Sequence, residues 1–322
     1  MCEGSGEGPA GEQLWIKSDV TATKTSKVKG YTLGRVLGRG ASGTVRVARP
    51  VGGTSEELVA IKIIDIRQFQ NITEIERIQE EIRILESIKH KNIVNLVEVL
   101  FVNDKFYFVM EYCESGCLTS LLKEQLNGRL PEDRARELLF GICEGLEYCH
   151  RRNVVHRDLK SENLLLDKSG QVKVADFGLS TILTPFDKDM SLMCGTPAFA
   201  APEIFLKLQY TEAVDIWSLG VILYELTTGT LPFRQNDRDH LKRAVVKGTY
   251  PEPDHLSADL VDLLRCMLTV DPNHRASLAE VMRHRWVGMT DQLLTLEVDS
   301  PDSSAHTTSP FPEGLLSPRV IL

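Results

Sequence analysis

No stretch of the chain reaches the roughly 18 consecutive apolar residues of a membrane span. The first thirty residues lack the apolar core of a secretory signal. Cys2 stands where myristoylation needs glycine, and the end at Arg319-Val320-Ile321-Leu322 is no prenylation box. A basic excess is missing too. The net charge of -8 argues against a nucleic-acid binder that relies on a basic face. The short clusters Arg151-Arg152 and Arg283-His284-Arg285 read as solvated surface. Seven cysteines lie scattered through apolar segments without paired C-x-x-C spacing. That fits reduced intracellular thiols rather than a disulfide frame or a zinc site, and Cys113 and Cys117 lack a complementary ligand pair. These absences lead us to expect a cytoplasmic protein, with nuclear entry left open, and neither membrane nor nucleic acid as partner; a monomer is expected.

What is present is a chain of 322 residues with 42% hydrophobic content, enough for one or two compact lobes. Its organising stretch is Val155-His156-Arg157-Asp158-Leu159-Lys160-Ser161-Glu162-Asn163, followed by Val174-Ala175-Asp176-Phe177-Gly178. Two carboxylates, a lysine and a side-chain amide fall on neighbouring turns. Phosphoryl transfer needs such a set: a carboxylate to orient the attacking hydroxyl, metal ligands, and a cation near the transferred group. Taken singly, each has a bland reading, because a lone Asp in a loop is usually a turn or cap residue. Between the two motifs, Leu164-Leu165-Leu166 and Val172-Lys173-Val174-Ala175 predict a short hairpin turning at Asp167–Gly170.

Upstream, Leu37 leads into Gly38-Arg39-Gly40-Ala41-Ser42-Gly43. G-x-G-x-x-G is weak evidence alone, and a dinucleotide-binding turn would have to open a helix. The next residues, Thr44-Val45-Arg46-Val47-Ala48, alternate as a strand, so the pattern favours a glycine-rich flap whose backbone amides can approach phosphates. Leu58–Ile64 predicts a strand carrying Lys62 among apolar neighbours. An unpaired buried charge is costly, so Lys62 should meet an anion; the bland alternative is a lysine snorkelling from an edge strand. A helix follows, with Thr73 and Glu76 as a capping box and Ile75, Ile78, Ile82, Leu85 and Ile88 at helical spacing. Strands Leu96–Phe101 and Phe106–Met110 join at Asn103-Asp104. Farther on, Ala135, Leu138, Leu139, Ile142, Leu146 and Cys149 form an apolar stripe, and Ala213–Thr227 reads as a buried helix. From about residue 290, Ser, Thr, Pro and Asp dominate, which predicts a disordered tail open to proline-directed phosphorylation.

The order and spacing of these motifs resemble the eukaryotic protein kinases: H-R-D-L-x-x-x-N at His156–Asn163, D-F-G at Asp176–Gly178, and V-A-I-K at Val59–Lys62. Lys160 in D-L-K-x-x-N and Gly195-Thr196-Pro197 before Ala201-Pro202-Glu203 point to Ser/Thr specificity. The chain looks most like the calmodulin-dependent and AMP-activated kinase group, near the AMP-activated-like or testis-specific-like branches. The resemblance implies an α+β, two-lobed kinase fold: an N-terminal arm over 1–29, a kinase domain over 30–287 and a tail over 288–322. A small β-sheet lobe with one long helix would span 30–110, and a larger helical lobe 113–287.

It further implies a protein serine/threonine kinase using ATP and Mg2+, with protein substrates and an upstream activating kinase as partners. Asp158 would orient the substrate hydroxyl and accept its proton, and Lys160 would approach the transferred phosphoryl group. Asn163 and Asp176 would hold magnesium, and Lys62, paired with Glu81 (Glu80 being the second choice), would position the phosphates. Thr196 would hydrogen-bond near Asp158. Leu37 to Gly43, Val45, Ala60, Met110, Leu165 and the backbone of Glu111 and Cys113 would surround the nucleotide. Leu96, Leu85, His156 and Phe177 would stack as a spine. Asp215 would hold the catalytic loop from below, and Arg275 would pair with Glu203.

Departures from the family pattern matter. Leu192 occupies the usual activating Thr position, leaving Ser191 as the expected site, with Thr184 farther upstream and Arg157 expected to bind the phosphate. Phe199 replaces a Tyr. Ser161 replaces a frequent Pro, with little effect expected, and Cys117 replaces a Glu, which counts against arginine-directed specificity. A kinase-fold scaffold without activity is the competing reading, but such proteins usually lose one of the residues matching Lys62, Asp158 and Asp176. A small-molecule kinase is disfavoured by the peptide-positioning look of Gly195–Glu203.

Overall fold

The computed structural model describes residues 27–40, 43–53, 57–69, 71–182, 195–234 and 237–288. They divide into two compact units, one containing residues up to Glu76 together with Asn95–Tyr112, the other Arg77–Val94 and the chain from Cys113 onward. The α+β, two-lobed architecture expected from the sequence is the one observed: a small β-sheet unit and a larger helical one.

The small unit is an antiparallel sheet of six strands, β1 (Lys27–Val28), β2 (Tyr31–Gly40), β3 (Gly43–Pro50), β4 (Val59–Asp65), β5 (Leu96–Val102) and β6 (Lys105–Glu111), in the order β1-β2-β3-β4-β6-β5. The described residues begin with a short strand that the sequence pattern does not indicate. Lys27 and Val28, assigned to the arm, pair with Thr32 and Tyr31, and Val28 is buried. The glycine-rich segment lies between β2 and β3, as the strand alternation after Gly43 requires. β5 and β6 meet at Asn103 and Asp104, both with positive φ, a conformation that matches the twist of a two-residue hairpin.

Period-two alternation gives this sheet two chemically different faces. Val28, Leu33, Ala48, Ile61, Tyr107 and Val109 form its apolar cluster. Cross-strand partners share a face, so the pairs Val45–Lys62, Val47–Ala60, Ala60–Met110 and Lys62–Phe108 place Val45, Ala60, Lys62, Phe108 and Met110 together on the other.

Helix α1 spans Ile72–Ser87. Its cap is Asn71 rather than the Thr73–Glu76 box: Asn71 Oδ1 accepts from Glu74 N at 3.2 Å and from Thr73 Oγ1 at 2.5 Å. Ile78, Ile82, Leu85 and Ile88 are buried at the expected spacing, together with Ile84.

In the large unit, α2 (Leu118–Glu124) and α3 (Glu132–His150) precede the catalytic stretch, and α4 (Pro202–Leu206) and α5 (Ala213–Thr228) follow it. Then come α6 (Arg238–Lys247), α7 (Ala258–Met267) and α8 (Leu278–Arg283). All six residues of the α3 stripe are buried, and α5 is apolar on nearly every side. Strand β7 (Val154–Val155) pairs with β10 (Thr181–Ile182), and β8 (Leu164–Leu166) with β9 (Val172–Val174). The β8–β9 turn is held by Asp167 Oδ1, which accepts from Ser169 N at 2.8 Å and Gln171 N at 3.0 Å. Arg275 meets Glu203 through two hydrogen bonds of 2.7 and 2.9 Å, with both side chains almost wholly buried. Removing one partner of such a pair costs about 3–5 kcal/mol, because the other charge is left stranded.

Candidate active site

The site in the large unit is built around the Asp158 carboxylate. Its Oδ1 accepts from Thr196 N at 2.9 Å and Thr196 Oγ1 at 3.0 Å. Its Oδ2 accepts from Lys160 Nζ at 2.7 Å and from Asn163 Nδ2 at 3.3 Å. Lys160 also donates to Thr196 Oγ1 at 3.1 Å, so the ammonium bridges the carboxylate and the threonine. Three of the residues singled out in the sequence, Lys160, Asn163 and Thr196, therefore converge on the carboxylate of a fourth. Gly195 permits this closeness. Its φ is +88°, and a Cβ there would stand 2.6 Å from Arg157 O and 3.5 Å from Asp158 Oδ1.

The loop carrying Asp158 is fastened from two directions. Asp215, fully buried on α5, accepts from His156 N and Arg157 N, each at 2.9 Å. His150 Nε2 lies 2.9 Å from the same carboxylate, at the end of α3. Burial pushes the Asp215 pKa up, but the hydrogen bonds and the neighbouring His150 and His156 outweigh it and hold the group below its ordinary value. Arg157 takes a left-handed backbone, φ 66°, a conformation costing a non-glycine residue on the order of 1–3 kcal/mol. The Asp215 bond to its amide helps hold it there.

The hairpin places Asp176 beside the loop. Leu164 pairs with Val174, and Ala175 N donates to Asn163 O at 2.9 Å, so residues 163 and 176 lie at the same open end of β8–β9. His156 Nε2 contacts Ala175 O at 3.0 Å, and its ring meets Phe177 edge-on at 4.9 Å. The His156–Phe177 part of the expected spine is thus in contact.

The Arg157 guanidinium, expected to bind a phosphate, is engaged within the large unit. It donates to Leu179 O at 2.6 Å, Ser180 O at 3.3 Å and Tyr210 Oη at 2.9 Å. All three are neutral acceptors. Ser191, Leu192 and Thr184 lie outside the described residues. Ser161, where little effect of replacing a Pro is expected, is buried, and its hydroxyl donates to the Glu225 carboxylate.

In the small unit, Lys62 is buried on β4 with its Nζ 5.9 Å from the Phe108 ring centroid. Gly38 and Gly40 have open space where a Cβ would stand, whereas a Cβ on Gly43 would lie 2.3 Å from Ile63 O. Leu37 and Arg39 belong to β2, while Ala41 and Ser42 lie outside the described residues. Glu111 N donates to Asn95 O at 3.0 Å. Glu81, Cys113 and Leu165 belong to the large unit, with Glu81 and Cys113 buried and Leu165 half-buried.

Residues 31–287 match the family model described as a protein kinase domain. The chain belongs to the protein kinase domain family. Among curated proteins, the kinase domain is 45% identical over 260 residues to the serine/threonine protein kinase OSK3 of Oryza sativa subsp. indica, covering 80% of this chain and 50% of the relative. It is 40% identical over 270 residues to the SNF1-related protein kinase catalytic subunit alpha KIN12 of Arabidopsis thaliana, covering 84% of this chain and 54% of that protein. With the serine/threonine-protein kinase SIK1 of Mus musculus it shares 37% identity over 287 residues, 89% of this chain and 36% of the relative. The chain thus spans about half the length, or less, of these relatives. The kinase domain is closely related to SNF1-related, AMP-activated-like and SIK1-like kinases, as its motifs indicate.

The donor set suits the ATP and magnesium that the family implies. Asn163 spends its Nδ2 on Asp158 O at 2.9 Å, so its amide oxygen is the ligand type it can supply, and Asp176 adds carboxylate oxygens. Such hard oxygens match magnesium, which keeps several waters and binds through one or two carboxylates plus phosphate. No group of three or more His, Cys, Asp or Glu that could hold a metal occurs among the described residues.

Proposed function

We propose that this chain transfers the γ-phosphoryl group of ATP to serine and threonine hydroxyls of protein substrates. The observation that carries the reading is the fourfold-donated Asp158 carboxylate bridged by Lys160 to Thr196. The donors fix its orientation before any substrate arrives, and such preorganisation supplies catalysis where little covalent chemistry is needed. Asp158 orients the acceptor hydroxyl and takes its proton. Lys160 can pivot from Asp158 towards developing charge on the transferred group without leaving Thr196. Asn163 and Asp176 offer oxygens to magnesium, which when bound neutralises phosphate charge. In the small unit the flap amides around Gly38–Gly43 cradle phosphates, Lys62 positions them, and Val45, Ala60 and Met110 offer the base an apolar face; in the large unit Glu81 and Leu165 are the residues assigned to the nucleotide. Phosphorylation at Ser191 by an upstream kinase activates the enzyme by drawing Arg157 from its neutral acceptors, since charge-assisted hydrogen bonds are about twice as strong. The site of action is cytoplasmic.

Radiolabel transfer from ATP to a generic protein substrate tests the activity. Wild type should label the substrate, and Asp158→Asn should lose roughly 10²–10⁴-fold, the share of a general base. Wild type that binds ATP yet labels nothing would favour the scaffold reading. Full activity of Ser191→Ala, with no phosphate on the purified segment, would end the regulatory part.

A further inference from the structure

Helix α5 carries three polar side chains aimed at the catalytic region. Asp215 holds the amides of His156 and Arg157, and Ser218 Oγ donates to Phe199 O at 2.9 Å, just past Thr196. Glu225 accepts the hydroxyl of Ser161. Positions 215, 218 and 225 are separated by three and seven residues, so they lie along one helical face. At 1.5 Å per residue the outer two stand about 15 Å apart. Nearly everything else on this helix is buried and apolar.

We infer that Glu225 and Ser161 form a second anchor of the catalytic loop, which makes Glu225 a positioning residue for phosphoryl transfer. The inference rests on the kinase reading. Ser161 lies between Lys160 and Asn163, the two residues whose side chains donate to Asp158 Oδ2. It also opens the tight turn Ser161–Asn163, closed by Asn163 N donating to Lys160 O at 2.9 Å. Pinning Ser161 therefore fixes both donors together. Without it, the hydrogen bonds that tie the loop to α5 among the described residues are those of Asp215 at its start.

Glu225 is a poor choice if stability alone is served. Burial pushes its pKa up and the like charge of Glu162 adds to this, against the Ser161 hydrogen bond and the charge of Arg234. An acid kept at such a cost beside catalytic residues points to a task.

The test uses the full chain and the variants Ser161→Ala, Glu225→Ala, Glu225→Gln and the Ala–Ala double. Steady-state constants are measured on neutral peptides and on peptides with basic residues, beside hydrogen exchange of the loop amides. Each alanine variant should lower kcat about tenfold, as small misplacements of catalytic groups do, with KM for ATP and peptide nearly unchanged. The double variant should be no worse than either single, because the pair acts as one unit. Glu225→Gln keeps an acceptor and should restore kcat. Exchange of amides 157–163 should quicken in Ser161→Ala. Unchanged kcat and exchange in Ser161→Ala would overturn the anchor. So would Glu225→Ala raising KM for basic peptides alone, which would make Glu225 a substrate contact. If wild type shows no Asp158-dependent transfer, the kinase reading fails instead, and the exchange measurement still decides the anchor.

Discussion

Asp215 and Glu225 occupy one face of one helix and serve one loop, yet their acidities move in opposite directions. Burial raises both. Asp215 is the more deeply buried, but two backbone amides and the His150 ring converge on it. Glu225 meets a single hydroxyl and faces Glu162 across the same region. The number and charge of the donors, rather than depth, decide whether a buried carboxylate is held ionised.

The comparison is most violently broken at its strong end. Asp215→Ala would orphan the buried amides of His156 and Arg157, each costing about 1–3 kcal/mol. Thermal unfolding should show a loss of about 3 kcal/mol or more. His150→Ala should be milder, about 1.5–3 kcal/mol for one bond to a charged group, because the two amides remain. Acid titration comes next. A depressed folded pKa contributes stability that is complete above the ordinary Asp value of 3.8 and fades as pH falls through the lower folded value. Urea unfolding of Asp215→Asn should therefore show a flatter acid limb than wild type below that point.

Glu225 gives the smallest effect and the opposite sign. A raised folded pKa contributes stability present below the ordinary Glu value of 4.5 and lost as pH rises through the higher folded value. Glu225→Gln should then melt above wild type at pH 7 and together with it in acid. A lower Tm for the glutamine variant at pH 7 would mean that Arg234 and Ser161 compensate the charge more fully than its surroundings indicate.

Lys62 was legible by itself, because a charge inside an apolar run must find a partner. Asp215 within Ala213–Thr227 and Arg275 after α7 were readable because the resemblance to the protein kinases supplied the partner of each. Thr196 was found near Asp158 by the same route. Other features left no mark in the sequence. Arg157 bonds backbone carbonyls, which every residue possesses. His150 comes at the end of a stripe read only for its apolar members. Ser161 looked like a neutral exchange because its acceptor lies 64 positions away. The α1 cap was ambiguous since Asn71 and Thr73 are both capping types with an acid three residues on. Two residues of β1 are too few to display a period.

Gly43 has a reach beyond the flap. The carbonyl that any side chain there would strike belongs to Ile63, the immediate neighbour of Lys62 on the adjoining strand. A side chain at position 43 would therefore press on the strand that carries Lys62, whereas Gly38 and Gly40 face open space, so whoever wants to remodel the flap without disturbing that strand must leave Gly43 bare and work from the other two.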